Sequence, residues 1–170
     1  MSRILRAWAG LALIGLPLLV LLLIPQLMRS RGSTEQLMMI GVGLQMVLLA
    51  GLIIAAPVGA ALTAAAPPAW LPRTALWAAR DAWSGNRRTG WMALGVFAVV
   101  YTAGQVVAYG FAAVVPYAET NEPLPGWTIH YGPYAVQALI IYGWTTLAAA
   151  LYAVRLRRAP VGSHAPSLRA

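Results

Sequence analysis

The sequence predicts an all-α integral membrane protein: a bundle of four transmembrane helices with a short interfacial amphipathic helix in the central cytoplasmic loop. Three observations carry that reading. Apolar residues make up 60% of the 170 and charged residues only 9%, against about 45–50% and about 25% in soluble domains. Four apolar stretches without a single charge, at about 7–28, 37–60, 91–115 and 133–154, are each close to the length a membrane-crossing helix needs. The cations fall almost entirely on one side of those stretches. With no cysteine in the chain, disulfides, thiolate metal sites and redox pairs are excluded.

The first stretch, Ala7–Met28, is bounded by Arg6 and Arg29 and carries Pro17 and Pro25. Prolines kink membrane helices without breaking them where neighbours satisfy the freed carbonyls. Its 22 residues exceed the apolar core of a signal peptide, and no A-x-A-like site follows, so it reads as a retained helix. The second begins at Leu37; apolar residues continue past Pro57 to Ala66, which leaves its end open. The third runs from Trp91 to Val115, and the fourth from Pro133, a residue suited to the first helical turn, to Val154. Residues 1–158 form one domain, and 159–170 a flexible tail.

With four spans, both termini and the middle loop share a side. That side holds Arg3, Arg6, Arg73, Arg80, Arg87, Arg88, Arg155, Arg157, Arg158 and Arg169, with Asp81 as its only acid. The other side has Arg29 and Arg31 with Glu35, Glu119 and Glu122. By the positive-inside rule the arginine-rich side is cytoplasmic. The same rule accounts for the pI near 10.9, so nucleic acid is not a partner. All the cations are arginine in a chain rich in Ala, Gly and Pro, which points to a GC-rich bacterial genome and hence to a bacterial plasma membrane. Trp8, Trp70, Trp77, Trp83, Trp91 and Tyr152 fall at the cytoplasmic boundary, and Tyr117, Trp127, Tyr131 and Tyr134 at the outer one, as an aromatic belt requires.

The middle loop carries a helix over about 72–84. At helical spacing Arg73, Leu76, Trp77, Arg80 and Trp83 share one arc, and Thr74, Ala75, Ala78 and Ala82 the other. Together with Arg87 and Arg88 the bulky face predicts docking on an anionic leaflet, where each arginine adds about 1 kcal/mol, or on a partner protein. The outer loop, Pro116–Gly132, is too rich in prolines and turn formers for a helix.

Ionisable residues inside a membrane mark ion paths and proton relays; the four stretches contain none. The histidines, His130 and His164, lie outside them, so no haem is held between membrane helices by this chain alone. Glu119, Glu122 and His130 share the outer loop without a nucleophile, and read as hydrated residues. Catalytic residues, a metal and a resident cofactor are not expected.

What remains is polar but uncharged. Gln26, Gln45, Gln105 and Gln137 all fall in the outer half of their spans, Gln45 at a depth of about 12 Å and Gln105 at about 15 Å by helical rise. Phe97, Tyr101, Gln105 and Tyr109 form an i, i+4 stripe, and Gln137 and Trp144 share a face of the fourth span. Gln45, Tyr101, Gln105, Tyr109, Gln137 and Trp144 thus outline a candidate pocket for a lipid, quinone or pigment. The competing reading is interhelical hydrogen bonding, worth roughly 0.6–2 kcal/mol per residue. Small-residue ridges, Gly51/Ala55/Gly59/Thr63 and Gly104/Ala108/Ala112, allow close helix contact within the chain or with another subunit. The function expected first is a non-catalytic subunit or accessory protein of a larger membrane complex. The alternatives are the small-molecule binder just described, or the membrane subunit of a transporter driven by a partner ATPase.

Overall fold

The computed structural model describes residues 3–17, 19–20, 35–63, 70–116, 118–120 and 127–158. They form helices α1 (Arg3–Ile14), α2 (Glu35–Thr63), α3 (Ala75–Gly85) and α4 (Arg87–Val114), strands β1 (Ala118–Thr120) and β2 (Trp127–Ile129), and helix α5 (Tyr131–Leu156). Three helices are long and apolar enough to cross a membrane: α2 from Met39 to Thr63, α4 and α5. The first expected span is only partly described. Helical bonding continues beyond α1, from Gly15 N to Leu11 O (2.8 Å) and from Leu19 N to Gly15 O (3.1 Å), but the rest of that span lies outside the described residues, as do Gln26 and the tail. A fourth crossing is therefore not part of the described fold.

Helix α5 is the hub. It packs on α1, α2, α3 and α4, with its longest contact to α4; α1, α2 and α5 pack on one another. Sequence explains the position. Along α5, Ala138, Thr145, Thr146, Ala148, Ala149, Ala150 and Ala153 are all buried, and their small side chains let neighbours approach from several directions. In an apolar 18-residue stretch of each, the share of residues buried is 61% for α5 and 22% for α2 and α4.

Glycines fix the closest approaches. A Cβ on Gly104 of α4 would collide with Trp144 of α5, one on Gly10 of α1 with Thr63, and one on Gly59 of α2 with Leu11. The expected ridge on α2 therefore divides: Gly59 and Thr63 pack on α1, whereas Gly51 and Ala55 are exposed. The α4 ridge turns inward at Gly104 and Ala108. Helix α2 runs through Pro57 to Thr63, and residues 64–66 lie outside the described residues; membrane helices tolerate the missing backbone donor.

Asn86 makes the sharp junction between α3 and α4. Its amide closes α3 onto Ala82 O, and its side chain accepts from Thr89 N at 3.1 Å to cap α4. Helix α3 thereby lies against α2, α4 and α5 at the arginine-rich end, where the main core cluster sits. Ala78, Ala79 and Ala82 meet Leu52, Ala56, Phe97, Ala149 and Tyr152 in that cluster.

The outer loop holds a feature the sequence reading lacks. Strands β1 and β2 pair antiparallel, Ala118 opposite Ile129 and Thr120 opposite Trp127. Three-residue strands between turn formers are too short to show an alternating pattern.

Replacing Gly104 with Val should destabilise the protein by about 1–3 kcal/mol, because Trp144 has nowhere to go. Gly95, which faces open space on the same helix, should accept Ala with no loss, and with a gain of up to about 1 kcal/mol from helix propensity. Unfolding in detergent micelles measures both; equal effects would contradict the packing described.

Candidate functional site

The polar residues expected to outline a pocket are drawn into contacts between helices. Gln45 of α2, buried, donates from Nε2 to the Tyr101 hydroxyl of α4 at 2.7 Å. Gln137 of α5, fully buried, lies 3.4 Å from Ala108 O of α4. Trp144 backs onto Gly104. Gln105 is half-buried, and Tyr109, at the outer end of the stripe, is 41% exposed. The stripe thus faces the core at Phe97 and turns outward by Tyr109.

Below Gln45 the contacts continue as an aromatic chain. Tyr101 stacks on Phe97 (centroids 6.0 Å apart, planes 5° apart), Phe97 meets Tyr152 edge-on at 6.5 Å, and Trp83 Nε1 donates to the Tyr152 hydroxyl at 3.1 Å. Trp83 also meets Trp91 edge-on at 5.7 Å and fills the space left by Gly90. One line of rings and hydroxyls joins α2, α4, α5 and α3.

A groove of about 340 Å³ lies between α1 and α5, lined by Trp8, Leu139, Ile140, Gly143, Trp144 and Leu147. Of the residues expected in a pocket, only Trp144 borders it. Trp8 Nε1 donates to Gly143 O at 3.1 Å, and the Tyr142 hydroxyl donates to Ala12 O. Gly15 admits that hydroxyl, since a Cβ there would stand 2.8 Å from it. The groove's lining is almost wholly apolar.

The amphipathic helix divides as its sequence suggests, with one difference. Ala75, Ala78, Ala79 and Ala82 of α3 are buried against the bundle. Arg73, Leu76, Trp77 and Arg80 are exposed, with the Arg80 guanidinium 5.8 Å from the Trp77 ring. Trp83 departs from the outward face: it is half-buried and bonded to Tyr152, because Gly90 leaves room for its ring. Arg87 and Arg88 are exposed in the first turn of α4, which has no acidic residue. Cations there oppose the helix dipole by about 0.3–1 kcal/mol each, so an anion outside the helix would relieve them.

Two residues at this end were read from sequence only as boundary and orientation signals. Trp70 is not a boundary indole but is buried, at 1% exposure; Tyr152 is likewise buried rather than belted. Arg157 caps α5, donates from Nη2 to Pro57 O at 3.3 Å and stands 6.0 Å from the Trp70 ring centroid. Burial pushes its pKa below the ordinary arginine value, though the guanidinium stays charged. The four-residue steps Ala149, Ala153, Arg157 continue the buried face of α5; that periodicity was the available signal.

Among the described residues no group of three His, Asp or Glu side chains could hold a metal. His130 is exposed at the start of α5; Glu122 and His164 lie outside the described residues. Comparison of the chain with protein-family models, curated proteins and solved structures finds no match.

A double-mutant cycle on Gln45→Leu and Tyr101→Phe should return a coupling of about 0.6–1.7 kcal/mol; additive effects would mean that the bond does not join α2 to α4. In vesicles of brominated lipid, Trp77→Phe should remove a large share of the quenchable fluorescence and Trp70→Phe almost none. The reverse order would place α3 the other way up.

Proposed function

We propose that this chain is a non-catalytic integral membrane subunit or accessory protein of a larger bacterial membrane complex. One observation carries the reading: α2 presents Gly43, Gly51 and Ala55 on an exposed surface, with open space where the Cβ of either glycine would stand. In lipid, helices associate by close packing at small residues, and among the described residues none covers this surface. The sequence supports the finer picture. The chain crosses the plasma membrane four times, with both termini on the cytoplasmic side by the arginine bias. Helix α3 lies on the cytoplasmic leaflet, with Trp77 at headgroup depth and Arg73, Arg80, Arg87 and Arg88 toward anionic phosphates or a partner.

A binder of a lipid, quinone or pigment is the second reading. The observation that favours it is the groove between Trp8 and Trp144, and an acyl chain fits its apolar lining best.

The chain contains no cysteine, so single-cysteine variants report cleanly. Gly51→Cys should crosslink in native membranes to a different protein, and Gly59→Cys, covered by Leu11, should not. Purification in mild detergent with mass spectrometry should recover that protein in fixed ratio. A chain that purifies alone, with Gly51→Cys uncrosslinked, overturns the subunit reading. A defined small molecule retained in its place moves the function to the groove, and an ATPase among the partners moves it to transport.

A further inference from the structure

Among the described residues, two buried donors at the arginine-rich end have no acceptor: the indole Nε1 of Trp70 and the guanidinium Nε of Arg157. They belong to neighbouring groups, the guanidinium carbon standing 6.0 Å from the indole centroid. An unpaired buried donor costs about 1–3 kcal/mol, and an uncompensated buried charge about 3–5 kcal/mol. The Pro57 carbonyl and the C-terminal end of the α5 dipole answer part of the Arg157 charge. Neither carries a full negative charge, and neither reaches Nε.

The chain has few anions to offer. It contains 4 acidic side chains. Glu35 begins α2, and by helical rise it lies about 33 Å along that helix from Pro57. Glu119 lies in strand β1, which follows the end of α4 opposite to Arg87, and Glu122 lies outside the described residues. Asp81 is exposed on α3. Meanwhile Arg155 and Arg158, both exposed, add positive potential around the pair.

We propose that Trp70 and Arg157 form a site for one phosphate anion, the headgroup phosphate of an anionic phospholipid. The chemistry matches: a guanidinium grips phosphate with two parallel N–H bonds, and an indole N–H supplies a third. The position matches too, since Arg157 stands one residue past the end of an apolar helix long enough to span the hydrocarbon, where headgroup phosphates begin. Arg157 is half-buried as a whole, so part of its side chain already faces outward beside the ring of Trp70. This site is separate from the outward face of α3 and does not depend on the subunit reading.

The test uses the full chain in nanodiscs of phosphatidylcholine doped with phosphatidylglycerol, read by native mass spectrometry. The wild type should retain one phosphatidylglycerol. Arg157→Gln should lower that retention about tenfold or more, the equivalent of one charge-assisted hydrogen bond. Trp70→Phe, which keeps the ring and removes only the N–H, should lower it about threefold. Arg155→Gln with Arg158→Gln removes more charge nearby and should leave the single tight lipid in place. If that double variant loses the lipid as fully as Arg157→Gln, the attraction is diffuse and the site is overturned. It is overturned equally if the wild type retains no anionic lipid. If inorganic phosphate competes the lipid away and binds alone in pure phosphatidylcholine, the site takes free phosphate and the lipid source is rejected. The wild-type retention and Trp70→Phe keep the proposal testable even if Arg157→Gln does not fold.

Discussion

Close packing on α5 is the constraint on which the rest of the structure depends. In a bilayer there is no hydrophobic force between helices, because lipid tails are as apolar as leucine; contact must be made by shape and by polar bonds. Helix α5 meets that requirement with alanines and threonines, so that backbones rather than long side chains come together. The hydropathies follow from this. Over an apolar 18-residue stretch of each helix, mean hydropathy is 2.3 for α2, 1.6 for α4 and 1.4 for α5, while the buried share is 22%, 22% and 61%. The central helix is the least lipophilic of the three, since lipid does not select its buried face. A bulky substitution along Ala148–Ala150 would therefore disturb several interfaces at once.

Packing of small residues is permissive about register, and polar bonds supply what it lacks. The bonds between elements are placed differently: Trp8 and Tyr142 tie α1 to α5, Gln45 ties α2 to α4, Gln137 ties α5 to α4, and Trp83 ties α3 to α5. Sliding any helix by one turn would strand these donors in hydrocarbon, where an unmet polar group costs several kcal/mol. Gln45 and Gln137 thus act as register pins, the generic use of such residues in membranes.

Much of the fold was legible in the sequence, because the bilayer enforces simple rules. The α2, α4 and α5 spans lie within a few residues of where apolar run length puts them, and the alanine face of α3 is the one its periodicity isolates. The rest was hidden for identifiable reasons. Apolar stretches look alike whether they face lipid or protein, so nothing in composition marked α5 as the hub. The hairpin rests on backbone pairing in a loop whose residues read as turns. Trp70 and Arg157 carried a label, boundary aromatic and orienting cation, that fits most such residues and conceals the buried exceptions. As for the candidate site, whether a glutamine meets a ligand or a neighbouring helix is decided by a few ångströms of packing, which residue type and spacing do not encode.

The cations reveal a conflict that the fold does not resolve internally. A positive end suits the C-terminus of α5, where Arg155 and Arg157 complement the dipole. The same end contains the N-termini of α1 and α4, where Arg3, Arg6, Arg87 and Arg88 oppose it. Isolated helices would favour acids there, but acids contribute little to orientation, and arginines do. The chain carries too few carboxylates to neutralise the result. An excess of positive charge gathered at one end of an apolar bundle attracts an external negative surface. That makes the arginine-rich end, more than any interior pocket, the part of the molecule whose properties depend on what lies beside it.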